Sequence, residues 1–211
     1  MRDLKNLKCL LPKTESLLLK MVESCDFLDR YVLVGGSALA LHLCHRKSED
    51  LDFFTFADDF DRKEIFEYIQ QFEHKEIINQ TDEQIDLLLD GVKVTFFGAC
   101  WEFLKPTKTE RFNLAPLKAI ATMKVNVMFL RAKYRDYYDL YFLVKSGMGL
   151  KEVFECSKDI VQGVSFKLFA IALVYIDDIE DDNIGYLEPE EQISKEKIRD
   201  FFQEKLKNIG K

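Results

Sequence analysis

The strongest constraint on this chain is a diglycine turn between an apolar strand and a helix, followed by a strand carrying two alternating acids. The segments are Tyr31-Val32-Leu33-Val34-Gly35-Gly36-Ser37 and then Ser48-Glu49-Asp50-Leu51-Asp52-Phe53-Phe54. Glycines at the end of a strand let the backbone approach a ligand closely. Ser37 to Cys44 is made of strong helix formers. A helix opening there leaves amide N–H groups without intrahelical partners, an arrangement that receives phosphate. In the stretch Asp50 to Phe56, side chains two apart share a face of an extended strand, which places Asp50 beside Asp52. Two carboxylates so placed repel unless a cation compensates them. A hard divalent ion with oxygen ligands, Mg²⁺ (or Mn²⁺), is the natural partner where phosphates complete the shell.

Taken singly, a Gly-Gly before a helix is an ordinary tight turn and an Asp-x-Asp an ordinary solvated strand end. Their order is what carries information: strand, Gly-Gly-Ser, helix, Asp-x-Asp strand is the signature of the nucleotidyltransferase superfamily. Four blocks narrow the likeness. They are Gly35-Gly36-Ser37-Ala38, Arg46-Lys47-Ser48-Glu49-Asp50-Leu51-Asp52-Phe53-Phe54, Leu114 to Lys124, and Arg131-Ala132-Lys133-Tyr134-Arg135-Asp136-Tyr137-Tyr138-Asp139-Leu140-Tyr141. In that order, from about Tyr31 to Leu143, they resemble the AbiEii-type nucleotidyltransferase toxins of bacterial abortive-infection and toxin-antitoxin systems. The resemblance implies a nucleoside triphosphate substrate, with Gly35, Gly36, Ser37, Arg46 and Ser48 around it and the metal on Asp50 and Asp52. It also implies that Lys124, as a phosphate ligand, and Asp136, near the nucleotide, are required for activity.

The later blocks make a physical case of their own. Asn113 and Pro116 suit a helix start, and Leu117, Ile120, Ala121, Val127, Met128 and Leu130 recur at helical spacing. Lys124 falls on that apolar stripe, where a cation is costly unless it meets an anion or snorkels to water along its methylene stem. Lys118 on the same helix is expected at the surface. From Lys133 to Lys145 a second helix is expected, with Asp136 and Asp139 one turn apart and Gly147 as its stop. A purely structural alternative pairs these two acids with Arg131, Lys133 or Arg135 at the helix start.

Many nucleotidyltransferases carry a third carboxylate on a following strand. The corresponding hairpin here runs from Ile85 to Phe97, and its Asp90-Gly91 pair reads as a type I′ turn. The strand beyond it has Lys93 and Thr95 at alternate positions and no acid. Asp86 is the remaining candidate for a third ligand, with a charged strand end as the commoner explanation.

The chain has 211 residues, 47% of them hydrophobic, with no linker-like or low-complexity tract. It is expected to be α+β, a nucleotidyltransferase fold with a small mixed sheet in an N-terminal lobe, residues 1–105, and a helical lobe, residues 106–211. The acidic strand and the lysine helix are expected to face one another across a cleft between them. Cys9, Cys25, Cys44, Cys100 and Cys156 show no metal-like spacing, and with no signal peptide or membrane-length apolar run they read as free thiols in a reducing cytoplasm.

Net charge is −7, which argues against a general nucleic-acid binder. Yet residues 101–151 hold ten Lys and Arg against four Asp and Glu, a basic stripe that a polyanion such as tRNA could use. Between Leu168 and Ser194 there is no Lys or Arg, and Asp177 to Asp182 is an acidic run. Such a run is usually a solvated loop; the other reading is a dock for a basic partner, such as the winged-helix antitoxin that the resemblance implies. The expected activity is transfer of a nucleoside monophosphate to tRNA or protein. A small-molecule nucleotidyltransferase of the antibiotic type and a catalytically silent nucleotide-binding module are the two other classes the residues allow.

Overall fold

In a computed structural model, the structure describes residues 4–109, 111–158, 160–179 and 183–209. The chain forms two compact units, Met1–Pro116 and Leu117–Lys211.

The first unit opens with a 3-10 turn at Leu4–Cys9 and a helix, α1, at Pro12–Ser24. Strand β1, Tyr31–Val34, runs directly into helix α2, Gly35–Leu43, and strand β2 follows at Leu51–Thr55. Helix α3 covers Arg62–Tyr68, capped by the Asp61 carboxylate, which accepts from the amides of Lys63 and Glu64. Strands β3, β4 and β5 are Lys75–Gln80, Gln84–Leu89 and Val92–Phe97, and two-residue strands β6 and β7 lie at Thr107–Lys108 and Asn113–Leu114. Together they form one mixed sheet in the order β3-β4-β5-β2-β1-β7-β6. The expected α+β nucleotidyltransferase fold, with a mixed sheet in the first half and helices in the second, is the one observed.

The core side of this sheet follows from alternation along its strands. Leu33, Leu51, Phe53, Val94, Phe96, Ile85 and Leu87 are all buried, and Phe53 stacks on Phe96 with ring centres 5.6 Å apart. The opposite side carries Asp52, Phe54, Thr95, Phe97 and Asp86, because each is one residue out of phase with that core set. Between β4 and β5 the turn forms as its residues require. Asp90 and Gly91 both take positive φ, 49° and 83°, as a type I′ hairpin needs.

The second unit is helical: α4 at Leu117–Leu130, α5 at Tyr134–Lys145, α6 at Leu150–Ser157, α7 at Phe166–Val174 and α8 at Lys195–Lys207. The break between α4 and α5 is short, with Ala132 at φ 43°. After α5, Gly147 takes φ 111° and the Met148 amide reaches back to the Leu143 carbonyl, which ends the helix at the predicted glycine. Among the described residues no helix is long and apolar enough to cross a membrane.

One expectation is corrected. The cysteines are not all free thiols, because Cys9 and Cys44 are joined in a disulfide. Cys44 closes α2 in the left-handed conformation at φ 52°. Cys9 ends the first 3-10 turn, and the two Cα atoms lie 5.4 Å apart, within the span a disulfide bridges. A 35-residue separation resembles no metal motif, and the pairing depends on packing that spacing does not reveal. Scattered cysteines therefore give no ground for a reducing compartment. Cys25, Cys100 and Cys156 are not disulfide-bonded.

Candidate active site

The start of α2 is built around two glycines that no other residue could replace without displacing a neighbour. Gly35 sits at φ +69°, and a Cβ there would lie 2.6 Å from Oδ2 of Asp52. A Cβ on Gly36 would lie 2.9 Å from a terminal nitrogen of Arg46 and 3.2 Å from the Ser48 hydroxyl. The absence of side chains at these two positions is thus what lets the Asp52 carboxylate, the Arg46 guanidinium and the Ser48 hydroxyl close in on the first turn of the helix. Val34, the residue at the N-cap, makes no side-chain cap hydrogen bond, and the leading N–H groups of a helix have the capacity to receive an anion.

Pairing between strands fixes the acids. Val34 stands opposite Asp52 in the antiparallel β1–β2 ladder, which brings the end of β1 level with the carboxylate. Asp50 lies just before β2 rather than within it. Its carbonyl accepts a hydrogen bond from the Ser37 hydroxyl, which ties the start of α2 to the acidic segment. Ser37 is buried, and its hydroxyl holds the loop while its backbone amide belongs to the opening helical turn. Arg46 is buried, and one of its nitrogens donates to the Lys47 carbonyl at 2.9 Å.

Asp86 lies two strands away from Asp52, in the cross-sheet row Asp52, Thr95, Asp86, Asn79. Its buried carboxylate accepts from the Thr95 hydroxyl at 2.8 Å, from the Gln84 amide at 2.9 and 3.0 Å, and from the Asn79 amide at 3.3 Å. Burial alone would raise its pKa; those three donors and the charge of Lys93 outweigh burial and hold it below the ordinary carboxylate value. Among the described residues no three His, Cys, Asp or Glu side chains gather as a metal-binding group. Asp52 is a hard oxygen donor beside a phosphate-type helix start, and Asp50 lies two residues before it in the chain; carboxylates are the donors that suit a divalent cation sharing its shell with a phosphate.

In the second unit, Lys124 is where the helical stripe put it, buried on α4, and it meets acids of its own chain. Its Nζ lies 3.0 Å from Asp136 Oδ1 and 2.6 Å from Asp139 Oδ2, and both carboxylates are 0% exposed. Arg131 Nε adds a longer contact of 3.5 Å to Asp136 Oδ2. Of the cations considered as structural partners for these acids, Arg131 pairs with Asp136, and Lys124 lies closer to it. Lys118 is at the surface, paired with Glu152 at 2.9 Å.

Three contributors were not among the site residues expected from the sequence. Asp139 makes the shortest contact to Lys124, and Thr95 and Gln84 hold Asp86. For Asp139 the signal was its one-turn spacing from Asp136; Gln84 and Thr95 show themselves only once the register of the hairpin is known.

A diglycine helix start packed against an aspartate on a mixed sheet defines the nucleotidyltransferase fold, and solved structures agree. A candidate nucleotidyltransferase from Helicobacter pylori superposes with a TM-score of 0.58 at 19% identity, over 95% of this chain and 99% of that one. The nucleotidyltransferase toxin MenT4 of Mycobacterium tuberculosis superposes with a TM-score of 0.58 at 15% identity, over 86% and 77% of the two chains. An uncharacterised protein of Aquifex aeolicus (strain VF5) is 32% identical over 202 residues, 93% of this chain and 96% of its own length. The model of the family described as nucleotidyl transferase AbiEii toxin, type IV toxin-antitoxin system, matches residues 17–94. The chain belongs to this family and is a nucleotidyltransferase.

Proposed function

We propose that this protein is the toxin of a toxin-antitoxin or phage-defence pair, and that it transfers a nucleoside monophosphate from a nucleoside triphosphate to a tRNA or protein acceptor in a divalent-metal-dependent reaction. The observation that carries the reading is the closeness of Asp52 to Gly35, which leaves no room for a Cβ between the acid and the opening turn of α2.

The mechanism follows from what these groups can do. The N–H groups of the first α2 turn, at Gly36 and Ser37, would receive the triphosphate, with Arg46 and Ser48 beside Gly36 adding positive charge and a hydroxyl. Asp50 and Asp52 would hold Mg²⁺ or Mn²⁺. When bound, such an ion supplies charge neutralisation on the phosphates. Phosphoryl chemistry of this kind asks the protein mainly for positioning and electrostatics, and a cradle held by Ser37 and by the β1–β2 register meets that demand. Lys124 as a phosphate ligand and Asp136 near the nucleotide enter on the family resemblance. Asp86 is read as a sheet residue rather than as a ligand, since three neutral donors already occupy its carboxylate.

An antitoxin partner follows from the family's description as a type IV toxin-antitoxin system. In the acidic run proposed to dock it, Asp177 pairs with Arg199, and Glu180, Asp181 and Asp182 lie outside the described residues. The deciding experiment incubates the protein with Mg²⁺ and each labelled nucleoside triphosphate in turn, against total tRNA, against protein and against small hydroxyl or amine acceptors. Label on tRNA or protein that is lost in Asp52→Ala supports the proposal. Label on small acceptors alone would make the chain an antibiotic-type enzyme, and no label with any acceptor would make it a binding module.

A further inference from the structure

Four aromatic rings lie on the Asp52 side of the sheet, and the core does not use them. Phe54 and Phe97 are cross-strand partners on β2 and β5, with ring centres 4.9 Å apart. Trp101 approaches both, at 6.0 Å from Phe54 and 5.9 Å from Phe97, and stacks on Phe103 at 5.4 Å with an interplanar angle of 20°. All four are half-buried, whereas the core rings Tyr31, Phe53 and Phe96 on the other side are no more than 1% exposed. Fully packed rings lose contact with water, as those of the core do, whereas these four keep part of their surface accessible. The segment that returns Trp101 over the strands is also anchored. The Cys100 amide donates to the Thr55 hydroxyl at 3.5 Å, and its thiol contacts the Ala57 carbonyl at 3.4 Å.

Direction along β2 identifies the ligand. Val34, next to the α2 cradle, is opposite Asp52, while Val32 is opposite Phe54. Moving from Asp52 to Phe54 therefore leads away from the cradle, by about 6.6 Å on the same face. In phosphoryl transfer the attacking and leaving oxygens lie roughly in line across the phosphorus. If pyrophosphate leaves toward the α2 N-terminus, the acceptor hydroxyl approaches from the side of Phe54. An acceptor that presents a flat π surface there meets four rings, and the same segment carries exposed Lys105 and Arg111 against exposed Glu102. Flat, unpaired and polyanionic describes the end of a single-stranded RNA.

We propose that Phe54, Phe97, Trp101 and Phe103 form the platform on which the terminal nucleobase of an RNA acceptor stacks. The proposal rests on the nucleotidyl-transfer reading for its chemistry, but its test does not. Trp101 is the chain's single tryptophan, so its fluorescence reports the platform directly. A short single-stranded RNA should quench it to saturation, and the same RNA with an abasic 3′ residue should not. By anisotropy of labelled RNA, Trp101→Ala should bind about tenfold more weakly and no longer distinguish the abasic RNA, while Trp101→Phe should stay within about threefold of the parent, as base–aromatic stacking predicts. Circular dichroism confirms that each variant is folded. Should Trp101→Ala fail to fold, Phe103→Leu and the abasic comparison on the unaltered protein decide instead.

The platform is overturned if folded Trp101→Ala binds RNA as tightly as the parent, or if intact and abasic RNA bind alike. It is also overturned if a nucleoside triphosphate alone quenches Trp101 and competes with RNA for it. Failure of the transferase reading looks different: RNA binding and quenching stay intact with no label transferred to any acceptor.

Discussion

Lys124 Nζ lies closer to Asp139 Oδ2, at 2.6 Å, than to Asp136 Oδ1, at 3.0 Å, and all three side chains are buried. The pair ties α4 to α5 through charges removed from water. Removing Lys124 would leave two buried carboxylates without their nearest cation, which in buried pairs costs about 3–5 kcal/mol. Asp139→Ala leaves Lys124 its contact with Asp136, so it should lower stability by less, about 1–3 kcal/mol in urea or thermal unfolding. A change below about 1 kcal/mol would mean that the interaction is screened as surface pairs are.

The same geometry decides how Lys124 must be tested. Lys124→Ala strips the cation from two carboxylates, so lost activity in that variant alone cannot separate a phosphate ligand from a structural strut. Lys124→Arg keeps the charge with a different shape. If Lys124 contacts the nucleotide, Lys124→Arg should unfold within about 1 kcal/mol of the parent yet transfer label at least about tenfold more slowly, the scale of a lost charge-assisted contact. Parent-like rates in a stable Lys124→Arg would reduce the lysine to its role in the fold.

Gly35 and Gly36 should respond differently to alanine. At Gly35 the methyl meets the Asp52 carboxylate at 2.6 Å and the backbone is left-handed at φ +69°, so both terms oppose it, together by about 1–3 kcal/mol. At Gly36 the nearest atom, 2.9 Å away, is the far end of the Arg46 side chain, which can move. Gly36→Ala should stay folded and lose nucleotide affinity, whereas Gly35→Ala should lose both stability and activity. Thermal unfolding beside nucleotide binding measures the two, and equal stability losses would contradict the assignment.

How far these features could be read in advance depended on the kind of interaction each needs. Local chemistry was legible. The diglycine turn, the Asp90-Gly91 hairpin, the stop at Gly147 and the burial of Lys124 follow from backbone preference and periodicity. Partners set by register or tertiary packing were not. Alternation placed Asp86 on one side of β4, but its bond to Thr95 needs the β4–β5 register. The Cys9–Cys44 link needs the end of α2 to pack on the first 3-10 turn. Lys124 was expected to meet an anion or water, and only helix packing names Asp136 and Asp139.

The disulfide gives a redox prediction. Cross-linking a loop of this length removes unfolded-chain entropy worth about 3–4 kcal/mol on the chain-entropy model. Reduction, or Cys9→Ser, should lower the unfolding midpoint accordingly, and an unchanged midpoint in reductant would show that packing alone holds α2. Thiol labelling adds a check on the remaining cysteines. Cys100 is exposed and should react first, whereas Cys25 is buried and desolvation pushes its thiol up to about 12, so it should react only on unfolding.

Asp86 sets the last expectation, and its sign can be worked out. Its folded pKa lies below the ordinary value, because donors from Gln84, Thr95 and Asn79 and the charge of Lys93 overcome burial. A depressed carboxylate contributes stability that is fully present above its unfolded pKa, about 3.9, and is lost as pH falls through the lower folded value. The parent should therefore lose more stability than Asp86→Asn between about pH 5 and the acid limit, with the two curves running parallel at neutral pH. The side-chain amide of asparagine keeps one acceptor oxygen but turns an NH₂ toward donors that already point inward. Asp86→Asn should thus be less stable at neutral pH, by about 1–3 kcal/mol. Because Thr95 pairs with Asp52 across β2–β5, the substitution should also slow label transfer in proportion to how far Thr95 relaxes, without changing metal affinity. If Asp86→Asn instead weakens Mn²⁺ binding as much as Asp52→Asn does, then Asp86 is a metal ligand and the reading of it as a sheet residue fails.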